Sequence, residues 1–250
     1  MSFARLIAWL GFGCIALAPI TAPAQAGEKN ASAERRALIE LFTSQGCSSC
    51  PPADRLLGEL ARDHSLITLS LSIDYWDYLG WKDTLALRGN TKRQYGYARA
   101  RGDGRIYTPQ AVINGTSHAV GSDRAAIERA IAQTRSHPAA MQLPVTLSVA
   151  GGNISISVPE SPARGDVWLC SVKRAEAVRI ARGENRGRTI TYHNVVRGWH
   201  RLGELSDKPA SWTVSVSSLK GVPDEAAVIV QERHNGHPGR VLGAAITALR

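Results

Sequence analysis

The chain of 250 residues has 44% hydrophobic and 20% charged residues and a formal net charge of +9. This balance excludes a disordered or low-complexity chain and gives enough length for a sizeable core, in one large or two smaller domains. The positive charge is spread over Lys92 to Arg105 and Arg174 to Arg201 without an aromatic-basic nucleic-acid motif, so it reads as a solvated surface.

The first residues carry an export pattern. Arg5 precedes a short apolar run from Leu6 to Leu17, and Ala24, Gln25 and Ala26 form a small-x-small cleavage site. We expect a signal peptide over 1–26, a polar leader over 27–35, and a periplasmic or secreted bacterial protein. The run is too short for a lasting anchor, and no later run is long enough to span a bilayer. Cleavage leaves Cys47, Cys50 and Cys170. In an oxidising compartment the simplest assignment pairs the first two and buries the third in the apolar run Val167 to Val172.

A short apolar run, Ala37 to Phe42, reads as a buried strand. It leads into Cys47-Ser48-Ser49-Cys50 and then a helical pattern with apolar Ala53, Leu56, Leu57, Leu60 and Ala61. Leu66 to Ile73 alternates as a second strand, so the unit implies a right-handed parallel crossover. The segment Asp74 to Asp83 then follows a strand end and falls on the sheet edge that carries the cysteines, where open α/β sheets bind ligands. Its Trp76, Tyr78 and Trp81 are candidates for substrate binding. Asp74, Asp77 and Asp83 read as caps and turn residues, with a proton relay as the sharper alternative.

A helix is expected over 85–101, then a third strand entered through Thr108-Pro109. Asn114-Gly115 signals a two-residue hairpin, and Ser122 or Asp123 caps a closing helix. Beyond Met141, seven short strand patterns separated by Gly, Pro, Asn or Asp turns suggest a sandwich or partial barrel. His234 and His237 have ligand-like spacing but lie in a Gly/Pro loop, where exposed histidines are the commoner reading.

The order strand, cysteine pair, helix, strand, helix, Thr-Pro strand, hairpin and helix resembles the thioredoxin fold. The strings Leu41 to Asp54, Asp74 to Asp83 and Tyr107 to Gln110 are similar to those of a bacterial family of exported thioredoxin-like proteins of unknown function. The resemblance implies an α/β thioredoxin-like domain over 36–138, and the strand patterns beyond it give an all-β, sandwich-like domain over 142–250. It implies Cys47 as the exposed attacking thiol, Cys50 as the buried resolving thiol, and a cis Thr108–Pro109 bond facing them. Glu40 is the acidic residue in the first strand that would relay the proton. Pro51 disfavours helical geometry at Cys50, so the helix is expected to start slightly late.

The resulting expectation is an exported thiol–disulfide oxidoreductase-like protein acting on protein or small-molecule thiols and disulfides with a redox partner protein. It needs no cofactor and no resident metal. Two alternatives stand beside it: a copper-handling protein using the thiol pair, and a non-catalytic binding module stapled by a structural disulfide.

Overall fold

The computed structural model describes residues 35–250 together with Met1. The expected signal peptide and nearly all of the leader lie outside the described residues. The protein is mostly β, built on one large mixed sheet with few helices.

The first strand, β1 (Ala37–Thr43), runs parallel to β2 (Leu66–Ser72) and antiparallel to β3 (Gln110–Ile113), which pairs with β4 (Ser117–Val120). The hairpin between β3 and β4 turns through Asn114 and Gly115, both at positive φ, as its two-residue signal requires. Helix α1 (Pro51–Leu60) connects β1 to β2, α2 (Arg88–Arg101) connects β2 to β3, and α3 (Arg124–Arg135) follows β4. Asp123 caps α3 by accepting from the Ala126 N–H at 2.9 Å.

The C-terminal half departs from the expectation of a separate all-β unit of short strands. Strands β7 (Gly165–Arg179), β8 (Thr189–Leu205), β10 (Glu225–His234) and β11 (His237–Ala248) are long, and they join the first sheet in the order β11-β10-β7-β8-β2-β1-β3-β4. The join is a parallel pairing of β8 with β2 at Val195 and Ser70. A second sheet, β5 (Thr146–Ala150), β6 (Asn153–Val158) and β9 (Ala210–Ser215), packs Ile154, Ile156 and Val158 onto Leu169, Val228 and Leu242 of the large sheet. The sandwich-like packing is therefore present, but one of its two layers is continuous with the N-terminal sheet.

Side-chain alternation along β1 sorts the sheet faces. Ala37, Ile39 and Leu41 face α1 and α3, while Leu38 and Phe42 face α2 and pack with Tyr97, Cys170, Val172 and Ile229. That second cluster draws on both halves of the chain, so the core crosses the expected 138–142 boundary. Met141, within that boundary, and Leu143, just beyond it, donate backbone hydrogen bonds to Val241 and Leu242.

Candidate functional site

The two cysteines sit in the turn between β1 and α1 and are joined by a disulfide, with Cα atoms 5.4 Å apart. Cys50 adopts helical backbone angles, φ −77° and ψ −35°, despite Pro51. Its N–H bonds to Cys47 O, and its own carbonyl accepts from Ala53 and Asp54, so the tight turn and the first helical bonds outweigh the proline's preference. Helix α1 accordingly begins at Pro51, where a missing N–H costs no intrahelical bond.

The resemblance implies an exposed Cys47. Instead Cys47 is 3% exposed and Cys50 0%, while the intervening Ser48 and Ser49 form the exposed surface of the turn. Three separate segments cover the turn and hold it.

The first is the aromatic stretch. Trp76 packs on Gly46, where an added Cβ would stand 3.0 Å from the Trp76 Cβ, closer than ordinary contact, so a larger residue there would push Trp76 back by a few tenths of an ångström. The Trp76 indole N–H donates to the Thr108 hydroxyl at 2.7 Å, and Tyr78, 75% exposed, stacks on Trp76. Trp81 donates to Gln45 Oε1 at 2.7 Å, and the Asp83 carboxylate accepts from the Gln45 N–H at 2.8 Å. The stretch forms only a short 3₁₀ turn, Asp77–Leu79.

The second is the loop before β3. The Thr108–Pro109 bond is cis. Gly121, which follows β4, lies where a Cβ would meet Leu41, Ala53 and Pro109 together. Pro109 thus sits beside the first turn of α1.

The third is the tip joining β7 to β8, which sequence reasoning did not nominate. Buried Asn185 donates from one amide to both Gln45 O and Cys47 O, at 3.0 and 2.8 Å. Glu184 accepts from the Ser48 N–H at 3.3 Å. The only signal in the sequence was an asparagine inside a Gly-flanked loop, which reads as an ordinary turn residue.

The acidic groups are distributed differently from expectation. Glu40 projects to the α2 face, away from α1, where it accepts from Arg93 at 2.6 Å and from the Tyr97 hydroxyl. The buried acid on the α1 face is Asp54, whose N–H bonds to Cys50 O one turn into the helix. Both of its carboxylate oxygens are buried without a hydrogen-bond partner among the described residues, as are the Thr43, Ser70, Ser72 and Tyr192 hydroxyls. Burial, with the neighbouring Asp83 adding to it, pushes the Asp54 carboxyl up to about 8. Asp83 is raised by burial to about 6, against the opposing pull of the Gln45 and Leu85 N–H groups. The Tyr192 phenol, packed with Leu85, Ile180 and Val195, is pushed up by burial and then by the charges of Asp54 and Asp83.

Cys170 is buried and unbridged, and burial pushes its thiol up. His234 and His237 pair across the turn between β10 and β11. Among the described residues no group of three or more His, Cys, Asp or Glu could hold a metal ion. No helix among them is long and apolar enough to cross a membrane.

The fold and site define a mostly β protein whose large mixed sheet presents a disulfide at a strand-to-helix turn. The family model described as "Protein of unknown function (DUF1223)" matches residues 38–231, and the chain belongs to that family. It is similar to a solved structure, protein AGR_C_4864 from Agrobacterium tumefaciens, at 32% identity and a TM-score of 0.78, covering 86% of this chain and 95% of that one. A second likeness, hypothetical protein PH1083 from Pyrococcus horikoshii OT3, has 11% identity and a TM-score of 0.20 over 43% of this chain and 87% of that one, and carries no argument. No curated protein matches.

Proposed function

We propose that the protein is an exported thiol–disulfide exchange protein of thioredoxin-like design, with Cys47–Cys50 as its redox pair. The observation that carries this reading is the placement of the disulfide at a strand–turn–helix junction, with Trp76 bridging from the Gly46–Cys47 turn to Thr108 beside Pro109. The export pattern over 1–26 supports an oxidising envelope compartment, where such a pair meets thiol substrates.

In the exchange step a substrate thiolate attacks the Cys47 sulfur, the S–S bond breaks, and Cys50 leaves as a thiolate. We assign the proton for that leaving group to Asp54, one turn along α1 from Cys50 and protonated below about pH 8. A second substrate thiolate then attacks the substrate sulfur of the mixed disulfide and expels Cys47. The substrate dithiol loses two electrons and two protons, and the protein disulfide gains them. Reduction of a substrate disulfide runs the same steps backwards. Exposed Tyr78 stacked on Trp76 supplies the apolar platform for the substrate, Pro109 its backbone contact, and Trp81 the tether that holds the platform to Gln45.

The low exposure of Cys47 favours a second reading, a structural staple that fixes the aromatic edge of a binding module. The two separate in one experiment. The Cys50→Ser variant, incubated with glutathione disulfide, should acquire one glutathione at Cys47 by intact mass and peptide mapping. No adduct under conditions that keep the chain folded would leave the staple.

A further inference from the structure

We infer that the groove between α1 and β8 is a docking site for an acidic, extended polypeptide segment, which names the substrate class for the exchange reaction and rests on that reading. The groove encloses about 1050 Å³ and starts at Pro51, directly after Cys50. Its walls carry Arg55 and Arg62 from α1 and Arg188 at the entry to β8.

Eight arginines elsewhere in the protein are matched by carboxylates, while others, such as Arg88, Arg99 and Arg129, share with the groove arginines the lack of an ion pair among the described residues. Arg36, Arg93, Arg101, Arg124, Arg174, Arg201, Arg233 and Arg240 each face a carboxylate within 4.0 Å. Arg55, Arg62 and Arg188 form no ion pair among the described residues, and Arg188 bonds only the Asn185 amide oxygen. The carboxylate in the groove, Glu59, is taken up by Arg124 at 2.6 Å. Glu184, which accepts from the Ser48 N–H, keeps its charge but lies outside the residues that line the groove. His193, packed over Gly58, is held in its neutral form by burial and by Arg62. The groove therefore presents unmatched positive charge beside the disulfide, and its complement is an anion.

Shape selects among anions. The site is a recess between a helix and a strand, which a flat lipid surface cannot enter. Its volume lies at the upper limit of ordinary small-molecule pockets. Ten residues of α1 span about 15 Å, the length of about five residues of extended chain. A short acidic stretch lying along α1 would bring a cysteine at its end to Cys47.

The test uses the full folded chain and a fluorescein-labelled ten-residue peptide of Glu, Gly and Ser, with a Lys-for-Glu counterpart. Neither peptide contains cysteine, so binding is read by anisotropy without thiol chemistry. We expect the acidic peptide to bind at least about tenfold more tightly than the basic one at low salt, and salt to erase the gap. Arg55→Glu with Arg188→Glu should reverse the preference, and Arg55→Gln with Arg188→Gln, which removes the charges but keeps a polar side chain at each place, should abolish it. Equal affinities, or a preference untouched by both double variants, would overturn the proposal. So would binding to phosphatidylglycerol vesicles without binding to the peptide. Adding a terminal cysteine to the acidic peptide and repeating the Cys50→Ser adduct assay tests the exchange reading separately.

Discussion

Trp76 donates its indole N–H to the Thr108 hydroxyl at 2.7 Å while its Cβ rests against Gly46, so one side chain ties the cysteine turn to the loop that carries Pro109. The cysteine turn, the aromatic stretch and the loop before β3 are thereby one mechanical unit. Asn185 adds a fourth strand of chain to it from the other half of the sequence.

Replacing Trp76 by Phe keeps the Cβ against Gly46 and a ring against Tyr78 but removes the bond to Thr108. The expected cost is about 1 kcal/mol of stability, read from urea denaturation. Exchange with peptide thiols should slow as well, because the platform is no longer held in place.

Asn185→Ala leaves two buried carbonyls, Gln45 O and Cys47 O, without their donor. A loss of about 2–4 kcal/mol is expected, and hydrogen exchange should accelerate at the amides of the 45–50 turn more than in β10. Uniform acceleration would mean that Asn185 merely contributes to global stability.

Glu40 and Arg93 form a buried ion pair with side-chain exposures of 1% and 8%. Burial pulls the guanidinium pKa down, and the Glu40 carboxylate more than offsets it, holding Arg93 charged. Glu40→Ala strands that charge and should cost about 3–5 kcal/mol, seen as a large drop in Tm. Because Glu40 faces α2, the rate at which a small thiol reduces the disulfide should not change in the folded variant.

Asp54 carries the pH dependence. Its carboxyl is raised by burial from 3.8 to about 8, so the unfolded chain ionises first as pH rises. Stability conferred by the neutral acid is complete below about pH 4 and is lost progressively up to about pH 8, at no more than about 1.4 kcal/mol per pH unit. Asp83 acts in the same sense up to about pH 6. Asp54→Asn should flatten this slope and leave the variant at least about 2 kcal/mol more stable than the parent at pH 8, with a smaller advantage at pH 5. Urea midpoints at the two pH values check this. The same variant should slow resolution of a Cys47 mixed disulfide, which a purely structural Asp54 would leave unchanged.

Local chemistry made the N-terminal elements readable. Alternating Leu66 to Ile73 is β2, Asn114-Gly115 is the turn of the β3–β4 hairpin, and Asp123 is a cap. The cysteines, Trp76 and Thr108 were legible because motif and order of elements placed them on one sheet edge. What local pattern does not encode is pairing between distant strands: the single Ser70–Val195 register that fuses the two halves leaves no periodic trace in either segment. Asn185 was invisible for that reason, since it reaches the site only through that fusion. The resemblance points to Glu40 as the first-strand acid, whereas the alternation of β1 sends its side chain to the opposite face. Asp54 was hidden among helical residues because a lone aspartate in a first turn usually stays in water.

Exchange at Cys47–Cys50 is tested by counting free thiols by mass spectrometry after equilibrating the folded protein, without residues 1–26 and hence without Cys14, in glutathione buffers of graded potential. Thiol-exchange function predicts a reversible transition between one free thiol, Cys170, and three, with native circular dichroism on both sides. A Cys47–Cys50 bridge that opens only when the protein unfolds would contradict it and assign the disulfide to structure alone.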